Sequence, residues 1–501
     1  MVRELRVDAF YARLRAAAAA AGSSSPLLIL PSAADADSLC AVRALLSADS
    51  VRFSVFPVAS AAAAARTLLA SFSASAPLCL VVVNWGAHRD LRAVLPETAT
   101  AFVVDSHRLV HLHNLCARNG RVVVLFTADD ERAADLPYDF DLTALADDPL
   151  RAASGSDSDS EDSDADEDVR GGGRRKSAGS PTTSTPTASA FHGKPSGRLI
   201  YVRSRPRAAP QHQRAPPARL RVALTDQFVH DSITSERYQA AVMELEQHVN
   251  GSGNLDPSGA GAVVTLKDGT KVRAPEASRI AYEDELRLML LREWGLFDSM
   301  LCSSYVATKL KTWTDNGLKK LKLLLARMGF PLADCKKSFQ YMSMEVKRKM
   351  RDEFERLLPE YGLTEFDYRS FLRVHGYRSK VSAADVVYGV TALLESLNAE
   401  SNGSKESSAA KQFWAAYSAL SLSNVDQLQK GMQSAIEIQR AILRQRSSAI
   451  TKTGVCTECQ EVPHLRAVGS KINHDTVLKV TSGDRAPDVS PPPSSVDRQG
   501  N

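Results

Sequence analysis

Short apolar runs alternate with helix-like segments over the first 150 residues of the chain. The runs have the length and the apolar content of strands that are buried on both faces. They lie at positions 27–30, 52–56, 80–83, 101–104 and 121–126. Helical segments such as 38–46 and 61–69 separate them, and this alternation predicts βαβ units with right-handed crossovers. We therefore predict a Rossmann-like α/β domain with a parallel sheet over residues 1–150.

From about residue 278 the apolar positions change to a helical period. Leu318, Leu321, Leu324 and Leu325 recur at three- and four-residue spacing, which predicts one buried helix face. We expect an all-α region here, followed by two more amphipathic helices. Near residue 450 the apolar period stops, and sequence rich in Gly, Pro and Ser predicts a disordered tail.

An acidic stretch separates the α/β pattern from the helical one. Eight of the twelve residues from Asp157 to Asp168 are acidic, and Gly-rich, basic and Ser/Thr/Pro-rich sequence follows. Such a segment buries too little apolar surface to offset its ordering entropy, so we predict a disordered linker. Two functional alternatives stay open: its serines suit acid-directed kinases, and Arg174, Arg175 and Lys176 suit a nuclear import element.

The length of 501 residues allows about three domains, and these patterns give their boundaries. The segments are the α/β domain (1–150), the acidic and Ser/Thr/Pro-rich linker (151–195), a return to the α/β domain with loops (196–277), a helical domain (278–400), further helices (401–450) and a divergent tail (451–501).

Composition limits the classes of function. The formal net charge is only +4, so bulk charge does not by itself indicate nucleic acid. Seven cysteines, an odd number at irregular spacing, favour a reducing compartment over a disulfide framework. No apolar stretch reaches the roughly 18–20 residues that span a bilayer, so we expect no membrane partner. The first residues predict an amphipathic helix rather than a signal or transit peptide.

Three of the predicted strands end on polar residues of the kind that bind metals. Asp35 and Asp37 follow the first run, Asn84 follows the third, and Asp105, Ser106 and His107 follow the fourth. The carboxyl ends of parallel strands meet at one edge of a sheet, so we expect these side chains to share a site. A two-metal phosphoesterase centre needs several carboxylates and imidazoles. Neutral Asn and Ser offset little cation charge, so the sequence predicts an eroded centre.

The order Asp-x-Asp, then a strand that ends in x-x-Gly, then Asp-x-His resembles the RecJ-like DHH phosphoesterase superfamily. The closer resemblance is to one degenerate eukaryotic branch, the cell division control protein 45 family of replication initiation factors. Residues 105–108, Asp-Ser-His-Arg, are similar to the Asp-Ser/Thr-His-Arg signature of that branch. Segments 291–300, 305–313 and 380–388 are similar to its helical region, and the resemblance covers most of residues 1–450.

The resemblance implies a DHH-like fold without enzymatic activity, cofactor or bound metal. The strand-end residues would then be vestigial. It also implies a non-catalytic subunit of the replicative helicase assembly, acting in the nucleus with the Mcm ring and the GINS complex. Its further partners would be single-stranded DNA at the replication fork, other initiation factors and polymerase-associated proteins. The chain has no Gly-x-x-x-x-Gly-Lys-Ser/Thr loop, which agrees with ATP hydrolysis by the Mcm ring.

Two other hypotheses compete with this one. The chain would be a manganese- or magnesium-dependent exonuclease or phosphoesterase if Asp35, Asp37, Asp105 and His107 still held metal ions. Family members also continue with a C-terminal α/β domain, whereas this sequence diverges near Gly454 without a strand-helix alternation. That domain is therefore expected to be missing, and a truncated isoform with impaired helicase assembly is the third hypothesis.

Basic residues supply the candidates for contact with DNA. One predicted helix carries lysines opposite its apolar stripe, and Trp313 just before it could stack on a base. The alternatives are a solvated lysine face and a tryptophan that packs inside. The candidate DNA-binding residues are Arg108, Lys309, Lys311, Lys319, Lys320 and Lys322.

Two further motifs carry weaker signals. His375 has no carboxylate or cysteine at ligand spacing, so we expect a structural histidine. Cys456 and Cys459 have only His464 and His474 nearby, at a spacing unlike that of structural zinc sites. We therefore expect no metal at these cysteines.

Overall fold

The computed structural model describes the chain in segments. These are residues 3–4, 6–20, 27–46, 53–60, 78–108, 110–115, 120–126, 191–204, 218–250, 263–265, 271–273, 280–375, 379–396, 405–421 and 424–453. The predicted helix at 61–69, the acidic linker with its serines, the basic cluster at 174–176 and the cysteines at 456 and 459 lie outside the described residues. The described chain forms two compact units, Met1–Arg214 with His230–Thr234 and Ala215–Val229 with Ser235–Asn501.

The first unit is built on a six-stranded parallel sheet. Its strands are β1 (Arg3–Glu4), β2 (Leu27–Pro31), β3 (Phe53–Val55), β4 (Leu78–Val83), β5 (Ala99–Val104) and β7 (Val122–Leu125), in the order β1-β7-β5-β4-β2-β3. Because every pairing is parallel, each connection crosses over the sheet. The five predicted strands are thus present, and the predicted α/β class is confirmed.

Helices cover the sheet and bury both of its faces. The helices of this unit are α1 (Val7–Ala20), α2 (Ala36–Leu46), α3 (Leu91–Val94), α4 (Leu112–Leu115) and α5 (Ser196–Ser204). The central strands β2 and β4 are buried almost throughout, which explains why their sequences are continuous apolar runs rather than alternating ones. Phe10 of α1 packs edge-to-face on Phe102 of β5, with ring centroids 5.5 Å apart.

A later segment of the chain returns to this sheet. The two-residue strands β6 (His107–Arg108) and β8 (Phe191–His192) pair antiparallel. The backbone N–H of Gly193 also donates to the carbonyl oxygen of Ser106 at 2.7 Å. The pairing sets α5 beside α2 at the carboxyl edge of the sheet.

The second unit is mainly helical. Its helices are α6 (Ala218–Val229), α7 (Ser235–Asn250), α8 (Leu296–Cys302), α9 (Ser304–Leu310), α10 (Asp315–Arg327), α11 (Leu332–Cys335), α12 (Met344–Leu357), α13 (Ala383–Glu395), α14 (Lys405–Ala419) and α15 (Val425–Thr453), with 3-10 turns at Phe339–Tyr341 and Leu358–Tyr361. Of the predicted return segment 196–277, residues 196–204 belong to the first unit, whereas 218–229 and 235–250 belong to the second. Among the described residues, none of the helices combines the length and the apolarity that crossing a bilayer requires.

The region that the sequence predicted to be all α-helical also contains strands. Strands β11 (Ile280–Leu286), β12 (Asp367–His375) and β13 (Ser379–Ser382) form an antiparallel sheet in the order β11-β12-β13. Strands β9 (Val263–Thr265) and β10 (Lys271–Arg273) also pair antiparallel, and they lie before this region, in the segment 196–277 that was predicted as a return to the α/β domain. The prediction missed β12 because charged residues interrupt its apolar run. The available signal was the buried face formed by Tyr368, Ser370 and Leu372; on the other face Phe371 is buried, whereas Arg369 and Arg373 are half-buried.

Candidate functional site

Three polar segments meet at the carboxyl edge of the parallel sheet because β2, β4 and β5 are neighbours in it. Val83, the last residue of β4, pairs with the last residues of both β2 and β5, so the three strands end at one level. The structure therefore brings the predicted strand-end residues together. They are Asp35, Asp37, Asn84, Asp105, Ser106 and His107.

The side-chain amide of Asn84 joins the strand ends. Its Nδ2 atom donates to Asp35 Oδ2 and, at 2.9 Å, to Asp37 Oδ2. Its Oδ1 atom accepts from the backbone N–H of Ser106 at 3.1 Å and from the hydroxyl of Ser196 at 2.5 Å. Asn84 is buried, and its φ of 54° lies in the left-handed region that asparagine tolerates better than most residues. We call these contacts the Asn84 network.

Asp37 is a buried carboxyl held from two directions. Besides the Asn84 amide, the backbone N–H of Ser196 donates to Oδ2 at 2.7 Å, and that of Gly197 donates to Oδ1 at 2.9 Å. Burial and the nearby charge of Asp35 raise the pKa of Asp37 to about 7, although the hydrogen bonds oppose this shift. A buried carboxylate is costly without such donors, so the network is what permits Asp37 to ionise.

Sequence reasoning missed Ser196 and Gly197. They lie at the start of α5, more than 100 residues after Asn84 along the chain, and they reach the site through the β6–β8 pairing and the packing of α5 against α2. A Cβ atom at Gly197 would lie 3.1 Å from Asp37 Oδ1 and 3.2 Å from Cys40 Cβ, which is a tight approach. The run Gly-Lys-Pro-Ser-Gly at 193–197, small residues ahead of a helix, was the available signal.

Asp105 and His107 form a hydrogen-bonded pair at the end of β5. The Oδ1 atom of Asp105 accepts from the backbone N–H of His107 at 2.9 Å and faces its Nδ1 at 2.8 Å. Burial works against a charged ring, but the hydrogen bond and charge of Asp105, with the charges of Asp35 and Asp37, raise the pKa of His107 to about 9. In this metal-free arrangement the imidazole therefore carries a proton at neutral pH, and a metal ion would have to displace that proton to use the nitrogen as a ligand.

The residues of the Asn84 network do not fit a two-metal centre. Such a centre needs anionic oxygens or neutral imidazoles that face each cation. Here an N–H donor stands between Asp35 and Asp37, in the place where a cation would bridge them. Asp35 also caps α2, because it accepts from the backbone N–H groups of Asp37 at 3.1 Å and Ser38 at 3.2 Å. The arrangement is suited to joining strand ends, not to activating water.

The second unit carries the lysines predicted to contact DNA. Lys309 and Lys311 lie at the end of α9, and Lys319, Lys320 and Lys322 lie on α10, all exposed. None of these five forms an ion pair with another residue that the structure describes. The opposite face of α10 buries Leu321, Leu324 and Leu325 of its apolar stripe in the core, and partly buried Leu318 packs against them. We call these five residues the lysine face.

Three further residues that the sequence analysis singled out belong to neither the Asn84 network nor the lysine face. Trp313 is half-buried in the turn between α9 and α10. Arg108 lies in β6 and His375 is the last residue of β12, and their side chains lie outside the described set. The structure therefore leaves the expectation of a structural His375 as a prediction.

A family model described as CDC45 matches residues 27–214 and 221–461 of the chain. The chain is 32% identical over 257 residues to the cell division control protein 45 homolog of Schizosaccharomyces pombe, covering 47% of this chain and 39% of that protein. It is 33% identical over 220 residues to the human homolog, covering 44% of this chain and 36% of that protein. These matches thus span well under half the length of the curated relatives.

The fold is also similar to that of a solved structure. The crystal structure of CDC45 from Entamoeba histolytica superposes with a TM-score of 0.61 at 17% sequence identity. The superposition covers 88% of this chain and 73% of that one. At this level of identity the likeness establishes the fold.

Proposed function

The chain belongs to the CDC45 family, and from that premise we propose that it is a DNA replication factor that works by binding rather than by catalysis. On this proposal it acts in the nucleus during replication initiation and elongation. It is a non-catalytic subunit of the helicase assembly with the Mcm ring and the GINS complex, and it contacts other initiation factors and polymerase-associated proteins.

One observation carries the non-catalytic part of the proposal. The Nδ2 atom of Asn84 donates to both Asp35 and Asp37, so an uncharged hydrogen-bond donor occupies the position between two carboxylates that a metal centre would use as ligands. A donor and a cation cannot share that position. The same contacts supply a structural reason to keep both carboxylates in a protein without phosphoesterase activity.

The partner proposal is tested by assembly in solution. The purified chain is mixed with a purified Mcm ring and GINS complex, and the mixture is separated by size-exclusion chromatography. We expect the chain to elute with the larger particle, whereas an unrelated protein of similar mass and charge elutes alone. Elution of the chain at its own position in every mixture would contradict the assembly role.

The lysine face supports a contact with single-stranded DNA. Five exposed lysines on adjacent helices form a positive surface, and the described residues offer them no carboxylate partner. Such a surface attracts a phosphate backbone without reading its sequence. Half-buried Trp313 lies beside this surface, where an aromatic ring can add stacking with a base.

The DNA contact is tested by fluorescence anisotropy with a labelled oligothymidine. The triple substitution of Lys319, Lys320 and Lys322 by alanine should weaken binding at least tenfold. It should also reduce the slope of log K against log salt by about 2, since each single-strand phosphate contact contributes about 0.7.

A matched variant removes three positive charges that already have partners. In it Lys337, Lys349 and Arg356, which pair with Asp334, Glu345 and Glu353, are replaced by alanine. We expect this control to bind nearly as the unchanged chain does. Equal losses in both triple variants would reduce the DNA contact to a bulk charge effect and contradict the lysine face.

A further inference from the structure

A second polar group lies near the carboxyl edge of the parallel sheet, outside the Asn84 network. Asp90 immediately precedes α3 in the connection after β4, His111 precedes α4 in the connection after β5, and His113 lies within α4. One ligand-type atom from each residue lies within 4.8 Å of the other two. All three residues are half-buried, so the group is open to small ions. We call it the Asp90 cluster.

A buried asparagine holds together the two segments that carry this cluster. Asn114 of α4 has 0% exposed surface. Its Nδ2 atom donates to the carbonyl oxygens of Ala87 at 3.1 Å and Arg89 at 2.7 Å, and its Oδ1 accepts from the N–H of Leu91 at 3.1 Å. The residues on both sides of Asp90 are therefore tied to the helix of the histidines. Such supporting bonds orient metal ligands and reduce the ordering that binding requires.

Arg92 already supplies a positive charge to the cluster. Its Nη2 donates to Asp90 Oδ2 at 2.8 Å, its Nε donates to Asp90 Oδ1 at 3.0 Å, and its Nη2 also contacts His113 Nδ1. The Arg92 side chain is 41% exposed, so it can leave the carboxylate and remain solvated. Because exposed ion pairs contribute little to stability, a coordinated metal ion can replace the guanidinium.

We propose that Asp90, His111 and His113 form a binding site for one divalent transition-metal ion, with Arg92 as its intramolecular competitor. Two imidazoles and one carboxylate are ligands of zinc and of iron(II), whereas calcium and magnesium prefer sites made of oxygen alone. Ligands around a tetrahedral zinc ion lie about 3–4 Å apart, so small side-chain rotations close the present spacing. Because all three side chains are partly exposed, water can complete the coordination of a bound ion.

The site is tested with zinc and the full chain after treatment with a chelator. Zinc affinity and stoichiometry are measured by competition with a chromophoric chelator, and cobalt(II) absorption reports a protein-derived coordination sphere. We expect one equivalent of tightly bound zinc in the unchanged chain. H111A/H113A should weaken binding at least tenfold, whereas R92A should strengthen it several-fold because the competing cation is gone.

Three control variants make the test specific. R89A removes a neighbouring arginine that contacts His88 and not Asp90, H230A removes an exposed histidine elsewhere, and D35N removes a carboxylate of the Asn84 network. All three should bind zinc as the unchanged chain does. The inference is overturned if the unchanged chain binds no zinc at micromolar concentration, if H111A/H113A binds normally, or if R92A and R89A behave alike. The gain expected for R92A cannot result from misfolding.

Discussion

Asn84 adopts a left-handed backbone conformation and contacts both Asp35 and Asp37 through one nitrogen atom. The polar strand ends could be predicted to meet because parallel neighbouring strands end at one edge. The hydrogen bonds could not, because they depend on which way one amide is turned and on Ser196, which arrives from a distant segment. At the scale of single residues, the site differs from a metal centre because a hydrogen-bond donor faces the two carboxylates.

Replacing Asn84 by aspartate tests whether its amide takes the place of a cation. N84D keeps the shape and the left-handed preference, but it directs a third carboxylate at Asp35 and Asp37. We expect a loss of roughly 3 kcal/mol in the free energy of unfolding without metal, as for other uncompensated buried charges. Millimolar manganese should restore much of the lost free energy of unfolding, because a ligand that binds only the folded chain stabilises the folded state.

The readout for N84D is thermal unfolding with and without manganese. N424D is the matched control, since it adds the same negative charge beside Ser418 in the second unit. We expect manganese to raise the melting temperature of N84D but not that of N424D. An N84D chain as stable as the unchanged one, and indifferent to manganese, would contradict the role assigned to the amide.

The Asp105–His107 pair predicts a pH dependence with a defined sign. The pKa of His107 is raised to about 9 from an ordinary value of 6.5, so its stabilising effect is complete below pH 6.5 and is lost as the pH rises through about 9. In D105N the pKa of His107 should fall toward its ordinary value of 6.5. The free energy of unfolding should then decrease less between pH 6.5 and about 9 than it does in the unchanged chain.

Histidine-selective NMR measures this titration directly. Comparison with H107Q assigns the resonance of His107 among the eleven histidines of the chain. A midpoint near 9 that moves down by one or more units in D105N is the expected result. A midpoint near 6.5 in the unchanged chain would refute the pairing.

Elements were predicted best where burial makes the sequence pattern simple. The strands β2, β4, β5 and β7 are continuous apolar runs, and their positions agree with the prediction within two residues. The strand β12 was missed because its faces differ in burial and its run is broken by arginines. The return of the chain to the α/β domain near residue 196 was predicted, but the contact of helix α5 with the strand ends was not, since it depends on the pairing of β6 with β8 and on packing against α2.

The contact between α13 and α15 predicts an unusual response to a small substitution. Gly389 and Gly431 let the two helices approach closely, and a Cβ atom at Gly431 would overlap the Gly389 carbonyl and lie 2.9 Å from Leu393 Cγ. In an open helix, glycine to alanine stabilises by about 0.5–1 kcal/mol. Here G431A should instead cost about 1–3 kcal/mol, because a tightly packed contact must open.

Chemical denaturation of the whole chain measures that cost. Q433A, an exposed change two residues away on α15, should stay within about 0.5 kcal/mol of the unchanged chain. A G431A chain as stable as Q433A would contradict the close approach of α13 and α15 at Gly389 and Gly431.

At the scale of the whole molecule, the two units carry different properties. The first holds a parallel sheet whose polar edge is closed by hydrogen bonds, and the second exposes the lysine face on a helical core. Sequence predicted the α/β class of the first unit and the helices of the second because periodicity reports burial, but it missed the antiparallel sheet of the second unit. It could not predict the path of DNA or the faces that meet partners, because surface residues are not constrained by packing. Binding without hydrolysis is the function that these properties support together.

The most direct measurement is nuclease activity of the unchanged chain on labelled single-stranded DNA with manganese, with D105A in parallel. If the Asn84 network has replaced the metal centre, no nucleotides are released above the level of D105A, even with excess protein and long incubation. Nucleotide release by the unchanged chain that D105A abolishes would show a working phosphoesterase and would contradict the account at its centre.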